Sequence, residues 1–372
     1  MTKLYPVIFI SLIFAYLTQH PRLYTYKLSS GRKLNHYFLA CLALSLILFA
    51  GLRTAYNDTG GYTYYYRHLI FDETAFEQMS WSWGDNPGFY ITNIMLKRLG
   101  FSDQSFLMFY AVITLSIYLW FIYRYSTNPL LSVFLMLTMG VYSFTMAAIK
   151  QCVAMALCLV ATHHASNKKW IPCLLFVLIA STFHVYALMF AILPLLNFRP
   201  WSARTYLMLG AFAIVGLTLK TLLGTVISIT SMLGEEYELS TLTGGGVNPF
   251  RLAVVSVPAV ISMLVSRNIK AENDEKQNMI LNLAMLNAEI MFVALFGTAN
   301  YFARLANYFI VFQIVTLPWL FTFFEKKSKR LVTTMAVLCY SAYMYYGQAI
   351  NEYFDGDYKA ITLMEYIRSL FG

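Results

Sequence analysis

Three cationic residues stand in or beside long apolar stretches of the sequence, at positions where a charge is costly. Arg53 follows the run LFAGL, Lys150 lies within YSFTMAAIKQCVAMALCLVA, and Arg304 lies in ANYFARLANYF. A lysine inside a membrane segment costs about 2.5–3.5 kcal/mol, so it usually faces a partner or a water-filled cavity. Each residue alone also fits an interface anchor whose side chain snorkels to water.

Taken together, and with Arg251 as a fourth candidate, these cations predict a binding site for an anion. Arginine presents a planar fork of donors that matches phosphate oxygens in pairs, and lysine adds a compact point charge. At the depth of a lipid headgroup the natural anion is a phosphate or diphosphate attached to a lipid. The same charges would stabilise a diphosphate that leaves during a reaction.

Aromatic and proton-accepting residues accompany the first of these cations. Tyr62 and Tyr65 follow Arg53 in NDTGGYTYYYRH, where they fit either an aromatic belt at the membrane interface or a surface for the apolar faces of sugars. Asp58 fits either a salt-bridge partner of Arg53 or a base for a sugar hydroxyl. His184 lies inside an apolar block and is either a satisfied core residue or a proton acceptor.

The composition requires a membrane for the elements that position these residues. Apolar residues make up 59% of the chain and charged residues 12%, and the mean hydropathy is +0.57. Apolar blocks of roughly 15–22 residues match the length of a helix that crosses the hydrocarbon core, whereas a barrel would show shorter alternating segments. The five cysteines show neither a disulfide framework nor metal-ligand spacing, so no metal and no cofactor is predicted. The fold class is therefore an all-α integral membrane protein, a polytopic helical bundle in one domain, residues 1–372.

The basic residues between the apolar blocks predict the orientation of this bundle. Short loops rich in lysine and arginine are expected in the cytoplasm. Alternation then gives about twelve crossings, with the first helix retained and not cleaved as a signal peptide. The predicted helices are 4–19, 36–51, 105–123, 129–146, 147–163, 170–183, 185–198, 205–230, 250–266, 278–297, 306–324 and 331–346.

Long segments then fall on the outer face of the membrane. They are an extracytoplasmic loop at 52–104, a second at 231–249 and a C-terminal tail at 347–372. Residues 170–198 are too long for one crossing and too short for two ordinary ones, and both flanks are basic. Two short helices that meet near His184 satisfy both flanks, whereas a single tilted helix would break the alternation downstream.

The order of several short motifs resembles the EpsG family of exopolysaccharide and O-antigen polymerases, the Wzy class. The motifs are AGLR followed by NDTGGY, then NPGFYITNIMLKRLGFS, YSFTMAAIKQCVAMAL, KKWIPCLLFVLIASTFH and ANYFARLANYF, and they extend from about 50 to 320. Their positions carry the family's motif residues onto Arg53, Asp58, Lys150, Gln151, His184 and Arg304. The family usually has Arg-Gln where this chain has Lys150-Gln151, so the charge is kept and the bidentate geometry is lost.

The resemblance implies a metal-independent, GT-C-like glycosyltransferase of the bacterial cytoplasmic membrane. It would join oligosaccharide repeat units carried on undecaprenyl diphosphate, which serves as donor and acceptor, at the outer or periplasmic face. Membrane lipid, a chain-length regulator and a flippase are its expected partners, and no nucleic acid is expected. Gln151 joins Tyr62 and Tyr65 as an expected sugar-binding residue.

The resulting hypothesis gives each residue a role and leaves two rivals. Arg53, Lys150, Arg304 and Arg251 would bind the diphosphate, and Asp58 or His184 would take the proton of the acceptor hydroxyl. A flippase for the same lipid-linked glycan would also need cations, but it should line its midplane with polar groups. A ligase or acyltransferase of surface polysaccharide is the other alternative.

Overall fold

The chain forms two compact units, Met1–Ala191 with Arg330–Gly372 and Ile192–Lys329. The computed structural model describes residues 2–20, 23, 26–27, 33–77, 79, 81, 83–232, 245–297, 299–351 and 354–371. Of residues 26–27, 83, 226–232, 299–301, 351 and 371 it describes the backbone alone. The sequence predicts a single transmembrane domain, and the apolar pattern by itself does not reveal this division.

Helices dominate the first unit, and they follow the apolar blocks of the sequence closely. They are α1 Leu4–Leu17, α2 His36–Gly51, α3 Thr59–His68, α4 Pro87–Arg98, α5 Asp103–Tyr125, α6 Pro129–Thr138, α7 Val141–Ala147, α8 Ile149–Ser166 and α9 Trp170–Phe183. Short 3₁₀ segments occur at Glu73–Phe76 and Trp83–Asp85, and a longer one, Val185–Leu196, runs into the second unit. In the interior, α5 packs against α2 and α8, and α8 packs against α9.

The second unit is built around one helix that is buried on most sides. Its helices are α10 Ala203–Met232, α11 Pro249–Leu264, α12 Ser266–Glu272, α13 Glu275–Val293, α14 Ala299–Asn307 and α15 Ile310–Leu320, followed by the 3₁₀ turn Phe321–Phe323. The central helix α13 packs against α10, α11, α14 and α15. The chain then returns to the first unit through α16 Lys326–Met344, the π-helical turn Tyr345–Asn351, α17 Phe354–Asp357 and α18 Leu363–Phe371.

The apolar helices identify an all-α membrane protein. Among the described residues, two helices are long and apolar enough to cross a membrane, Asp103–Tyr125 and the stretch Ala203–Thr225 of α10. The bent pairs α6 with α7 and α11 with α12 raise this number to four if each pair is one span. Shorter apolar helices occur at Leu4–Leu17, His36–Gly51, Trp170–Phe183, Val185–Leu196 and Ile310–Phe323. The predicted number of twelve crossings stays a prediction.

Asparagine followed by proline starts helices in both units. The side chains of Asn128 and Asn248 accept hydrogen bonds from the backbone N–H groups of Leu131, at 3.3 Å, and Phe250, at 2.9 Å. Proline at the first helical position lacks an N–H that would have no helical partner there. This local chemistry explains why α6 and α11 begin where the apolar blocks begin.

Two breaks in the helical path place Lys150 near a helix start. Gly140, with a φ of 77°, separates α6 from α7, which meet at an angle of 52°. Ala148 has a non-helical backbone and separates α7 from α8. Lys150 is therefore the second residue of α8. The predicted helix boundary between 146 and 147 is confirmed to within two residues.

The prediction of two short helices within 170–198 is confirmed. The helix α9 ends at Phe183, and a 3₁₀ helix runs over Val185–Leu196, with His184 in an extended conformation between them. The segments predicted as outer loops hold more structure than expected: 52–104 contains α3 and α4, and 347–372 contains α17 and α18. Of the loop 231–249, residues 233–244 lie outside the described residues.

Two short antiparallel strand pairs complete the described structure. Strand β1, Tyr26–Lys27, pairs with β2, Lys33–Leu34. Strand β3, Arg53–Ala55, pairs with β4, Lys359–Ala360, so that Arg53 lies opposite Ala360 and Ala55 opposite Lys359. The second pair joins segments about three hundred residues apart in the chain, and it holds the C-terminal segment against the end of α2.

Candidate functional site

Arg53 forms a buried corner between α2 and α3. Its side chain is only 2% exposed; Nε donates to Thr59 Oγ1 at 3.0 Å, and Nη1 donates to the carbonyl of Ala50. Thr59 Oγ1 in turn donates to the carbonyl of Tyr56 at 2.6 Å. Burial lowers the pKa of Arg53 to about 10, so the guanidinium keeps its charge at neutral pH. These bonds give Arg53 a structural task, and its contact with a diphosphate stays a prediction.

The C-terminal segment covers this corner. Besides the pairing of β3 with β4, the backbone N–H of Ile361 donates to the carbonyl of Leu52 at 3.0 Å. The Tyr358 hydroxyl donates to the Phe49 carbonyl at 2.6 Å, and the two rings stack with centroids 4.3 Å apart. Phe354 packs on the same ring of Phe49 and is fully buried. The sequence predicts that this segment lies on the outer face, and it does not reveal the contact of the segment with the Arg53 corner.

Asp58 does not pair with Arg53. It precedes the first residue of α3, its side chain is exposed, and it makes no hydrogen bond to the N-terminus of that helix. The interpretation of Asp58 as the salt-bridge partner of Arg53 is therefore wrong, because the guanidinium is satisfied by Thr59 and a backbone carbonyl. A Cβ atom at Gly60 or Gly61 would meet open space, so the surface beside Asp58 is accessible.

Several predicted site residues meet around the ring of Phe89. The ring centroid of Tyr62 lies 6.0 Å from that of Phe89, and the Tyr65 ring stacks on it at 6.3 Å. Lys150 Nζ lies 5.8 Å from the Phe89 centroid, and Phe183 packs into the same group. We call these five residues the Phe89 cluster. It joins α3, α4, α8 and α9.

Lys150 presents its ammonium beside a ring and near an acid. An ammonium over an aromatic face gains cation–π attraction, which makes its partial burial less costly. The carboxylate of Asp85 is close enough to interact with Lys150 electrostatically. Gln151 is only 3% exposed, so its predicted contact with a sugar would require the side chain to move.

His184 lies at the edge of the Phe89 cluster. It is half-buried, caps the C-terminus of α9, and contacts the ring of Tyr186 edge-on at 5.0 Å. The start of α4 approaches the end of α9 so closely that a Cβ on Gly88 would lie 2.1 Å from Thr182 Oγ1. This approach keeps His184 near Phe89, because His184 directly follows Phe183 of the cluster.

Other cations of this region have structural partners. Lys97 Nζ donates to the carbonyls of Tyr66, Arg67 and Leu69 at 2.6–2.9 Å, which closes the C-terminal end of α3. Arg67 forms an ion pair with Asp103. The cations of this region therefore differ in role, and Lys150 is the one that lies in the Phe89 cluster.

Arg251 and Arg304 belong to the second unit. Arg251 lies in the first turn of α11, and its Nη2 donates to Asn307 Oδ1, at the end of α14, at 3.0 Å. Arg304 is exposed on α14. The side chain of Asn287 on α13 donates to the carbonyl of Ala306 at 2.5 Å. These bonds tie α11, α13 and α14 together around the two arginines.

Glu289 is a candidate functional residue that the sequence reasoning missed. It lies in α13, it is 5% exposed, and neither carboxylate oxygen has a hydrogen-bond partner among the described residues. A carboxylate buried without a partner in an apolar environment is costly and usually functional. The signal in the sequence is a single acid within the apolar block 278–297, where the only charges considered for membrane segments were cations.

The described residues contain no group of three or more His, Cys, Asp or Glu side chains arranged to hold a metal ion. Residues 36–354 match the model of the EpsG family. The chain belongs to the EpsG family. Family membership implies a polymerase-like function in exopolysaccharide or O-antigen synthesis, and the match covers every predicted site residue from Arg53 to Arg304. No curated protein and no solved structure matches the chain.

Proposed function

We propose that this EpsG-family protein is a Wzy-type polysaccharide polymerase, a glycosyltransferase of O-antigen, capsule or exopolysaccharide synthesis. It joins oligosaccharide repeat units carried on undecaprenyl diphosphate at the outer face of the bacterial cytoplasmic membrane. The proposal includes about twelve membrane crossings, a GT-C-like architecture and catalysis without a metal. The observation that carries it is the Phe89 cluster, where an ammonium and two tyrosines meet beside the helix that Asp58 begins.

Lys150 is the residue that we assign to direct contact with the diphosphate in the first unit. Its ammonium lies at the surface of the Phe89 ring and in the first turn of α8, where the helix dipole also favours a negative ligand. Arg53 adds positive charge from its buried corner and holds that corner in shape. Arg251 and Arg304 are the proposed diphosphate ligands of the second unit.

The sugar binds the tyrosines of α3. Tyr62 and Tyr65 are only partly buried against Phe89, so parts of both rings remain for the apolar face of a sugar. Gln151 is the third proposed sugar ligand. The exposed carboxylate of Asp58 lies at the start of the same helix as the two tyrosines.

In the reaction, the acceptor hydroxyl oxygen attacks the anomeric carbon of the donor glycan. The bond from that carbon to the diphosphate oxygen breaks, and the diphosphate leaves with the electron pair while cations stabilise its charge. The hydroxyl proton goes to Asp58 or His184. Membrane lipid surrounds the enzyme, and a chain-length regulator and a flippase are proposed partners.

One observation favours the rival function, a flippase of the same lipid-linked glycan. Asn278, Asn282 and Glu289 are buried polar residues on α13 at spacings of four and seven, which places them on one face of that helix. Polar residues along a buried helix are typical of a translocation path. A ligase or an acyltransferase of surface polysaccharide has no such support.

The test uses purified protein in lipid with a synthetic polyprenyl-diphosphate oligosaccharide, a metal chelator and no nucleotide sugar. A polymerase gives a ladder of products spaced by one repeat unit. Lys150→Ala should abolish the ladder and Lys150→Arg should preserve it, because an arginine also binds phosphate. Lys169→Ala, which removes an exposed cation at the start of α9, is the matched control and should behave like the wild type.

Two outcomes would overturn the proposal. Unchanged substrate that appears on the opposite leaflet of a vesicle identifies a flippase. A full ladder from correctly inserted Lys150→Ala protein excludes Lys150 as a diphosphate ligand.

The Asp58→Asn and His184→Gln variants identify the base. Only the loss of the true base should stop product formation without changing binding of the lipid-linked substrate.

A further inference from the structure

A pocket of about 530 Å³ opens in the second unit, away from every residue assigned above to the transferase chemistry. Its walls are the loop that precedes α10, the first turn of α10 and the start of α13. Arg199 and Arg204 supply two positive charges to this lining, and Glu275 supplies one negative charge. The volume lies within the range of ordinary small-ligand sites.

The donors of the pocket suit a phosphate group. Arg199 Nε donates to Asn273 Oδ1 at 2.8 Å, which uses one of the five donors of the guanidinium and fixes its direction. Arg204 lies in the first turn of α10, where the N-terminal amides of a long helix also attract an anion. A phosphate that bridges the two guanidiniums would therefore also meet this helix end.

Buried polar side chains in the lining lack partners. Asn278 is only 4% exposed, and its Oδ1 atom has no hydrogen-bond partner among the described residues. The Oγ atom of Ser202, another lining residue, is likewise buried and unpartnered within the described part of the chain. A hydroxyl can donate to a phosphate oxygen, and an amide can donate or accept depending on its orientation. Such unsatisfied groups are costly unless a ligand or water binds them.

The helix that carries the pocket is the least buried apolar helix of membrane length in the described chain. Within Ala203–Thr225, only 11% of an 18-residue apolar stretch is buried inside the protein. Leu207, one turn after Arg204, is 74% exposed, and Tyr206 is exposed beside it. The pocket therefore continues directly into an apolar surface suited to acyl chains, which a free phosphate compound would not use.

We propose that this pocket binds the phosphate headgroup of an anionic membrane lipid, with the acyl chains lying along α10. The basic loop NFRPWSAR is predicted to face the cytoplasm, where anionic lipids attract basic residues near helix ends. The inference does not depend on the polymerase proposal, because none of the pocket residues is assigned to catalysis. A soluble phosphate ester is the other source of the same chemistry.

Native mass spectrometry of the purified full-length protein, with phosphatidylglycerol or phosphatidylcholine added, tests this site. Wild-type protein should retain phosphatidylglycerol at least tenfold better than phosphatidylcholine. The double substitution Arg199→Ala with Arg204→Ala should reduce phosphatidylglycerol binding by roughly tenfold or more. Ser202→Ala changes no charge and should weaken binding severalfold, which generic attraction to the membrane surface would not explain.

The control is Lys327→Ala with Arg330→Ala, which removes two cations from another predicted cytoplasmic loop. Equal loss of lipid in this control and in the pocket variant would overturn the site. Equal retention of both lipids would overturn the lipid assignment, as would displacement of phosphatidylglycerol by glycerol 3-phosphate at low millimolar concentration. Circular dichroism of each variant separates loss of the site from loss of the fold.

Discussion

Replacing Arg53 by methionine should loosen the corner between α2 and α3. The substitution removes two hydrogen bonds from a charged donor, to Thr59 and to Ala50, each worth about 1.5–3 kcal/mol. It also relieves a cost, since a pKa lowered from 12.5 to about 10 by burial corresponds to about 3 kcal/mol spent to keep the guanidinium charged. The two bonds together are worth about 3–6 kcal/mol, and the relieved cost of about 3 kcal/mol leaves an expected net destabilisation of about 0–3 kcal/mol with a midpoint of about 1.5 kcal/mol. Thr59 keeps its bond to Tyr56.

Thiol labelling measures this loosening locally. Cys152 is 1% exposed and lies near Arg53, whereas Cys158 is equally buried farther along α8. In a background with Cys41 and Cys339 replaced by serine, Arg53→Met should speed the labelling of Cys152 by about tenfold, as a destabilisation of about 1.5 kcal/mol requires. The labelling of Cys158 should change less, since its surroundings keep their bonds.

A different result is expected if Arg53 acts mainly as a ligand of the diphosphate. In that case Arg53→Met would lose product formation while Cys152 labelling stays at the wild-type rate, and Arg53→Lys would restore much of the activity. We expect instead that Arg53→Lys does not restore much of the activity. A lysine keeps the buried charge but cannot reproduce the two bonds of the guanidinium fork, so labelling of Cys152 should rise as in Arg53→Met.

Three further predictions, one of them with a matched control substitution, concern other parts of the structure. Lys97→Met should lower the melting temperature through a loss of about 2 kcal/mol, because Nζ satisfies three carbonyls at the end of α3. Gly88→Ala should also destabilise, since its Cβ would collide with Thr182, whereas Gly60→Ala, which meets open space, should be neutral or slightly stabilising in the same assay. The Glu289→Gln variant should have a melting temperature no lower than that of the wild type, because the substitution neutralises an unpartnered carboxylate. It should nevertheless reduce turnover or transport. Wild-type function in this variant would show that Glu289 has no functional role.

The apolar pattern was sufficient for most helices because hydrocarbon-length blocks leave the backbone few alternatives. The break at His184 was predicted for a related reason: two basic flanks and an intermediate length fit two short helices better than one. For Tyr62, Tyr65 and Lys150, the sequence predicts only that the side chains lie at a similar depth in the membrane. Their actual meeting point, the ring of Phe89, depends on the packing of α4 against α9, which sequence periodicity does not encode.

The features that escaped prediction share a physical cause. Helices α3 and α4 are too polar to stand out in a chain where apolar runs dominate. The pairing of β3 with β4 involves strands of two or three residues, and such short strands leave no alternation to detect. The satisfaction of Arg53 by Thr59 and a carbonyl depends on a local turn, so the nearby Asp58 looked like the obvious partner.

The C-terminal segment changes how the Arg53 corner should be understood. The family match ends at residue 354, yet β4 and the stacked Tyr358 beyond that point close the corner with backbone bonds and an aromatic ring. A buried charge that does not touch a ligand can still attract an anionic ligand over a distance. This attraction weakens when water enters the space between them. The segment after residue 354 therefore helps to keep the guanidinium of Arg53 away from water. Lys150, which is partly exposed, remains the cation of the first unit whose position suits direct contact with a phosphate.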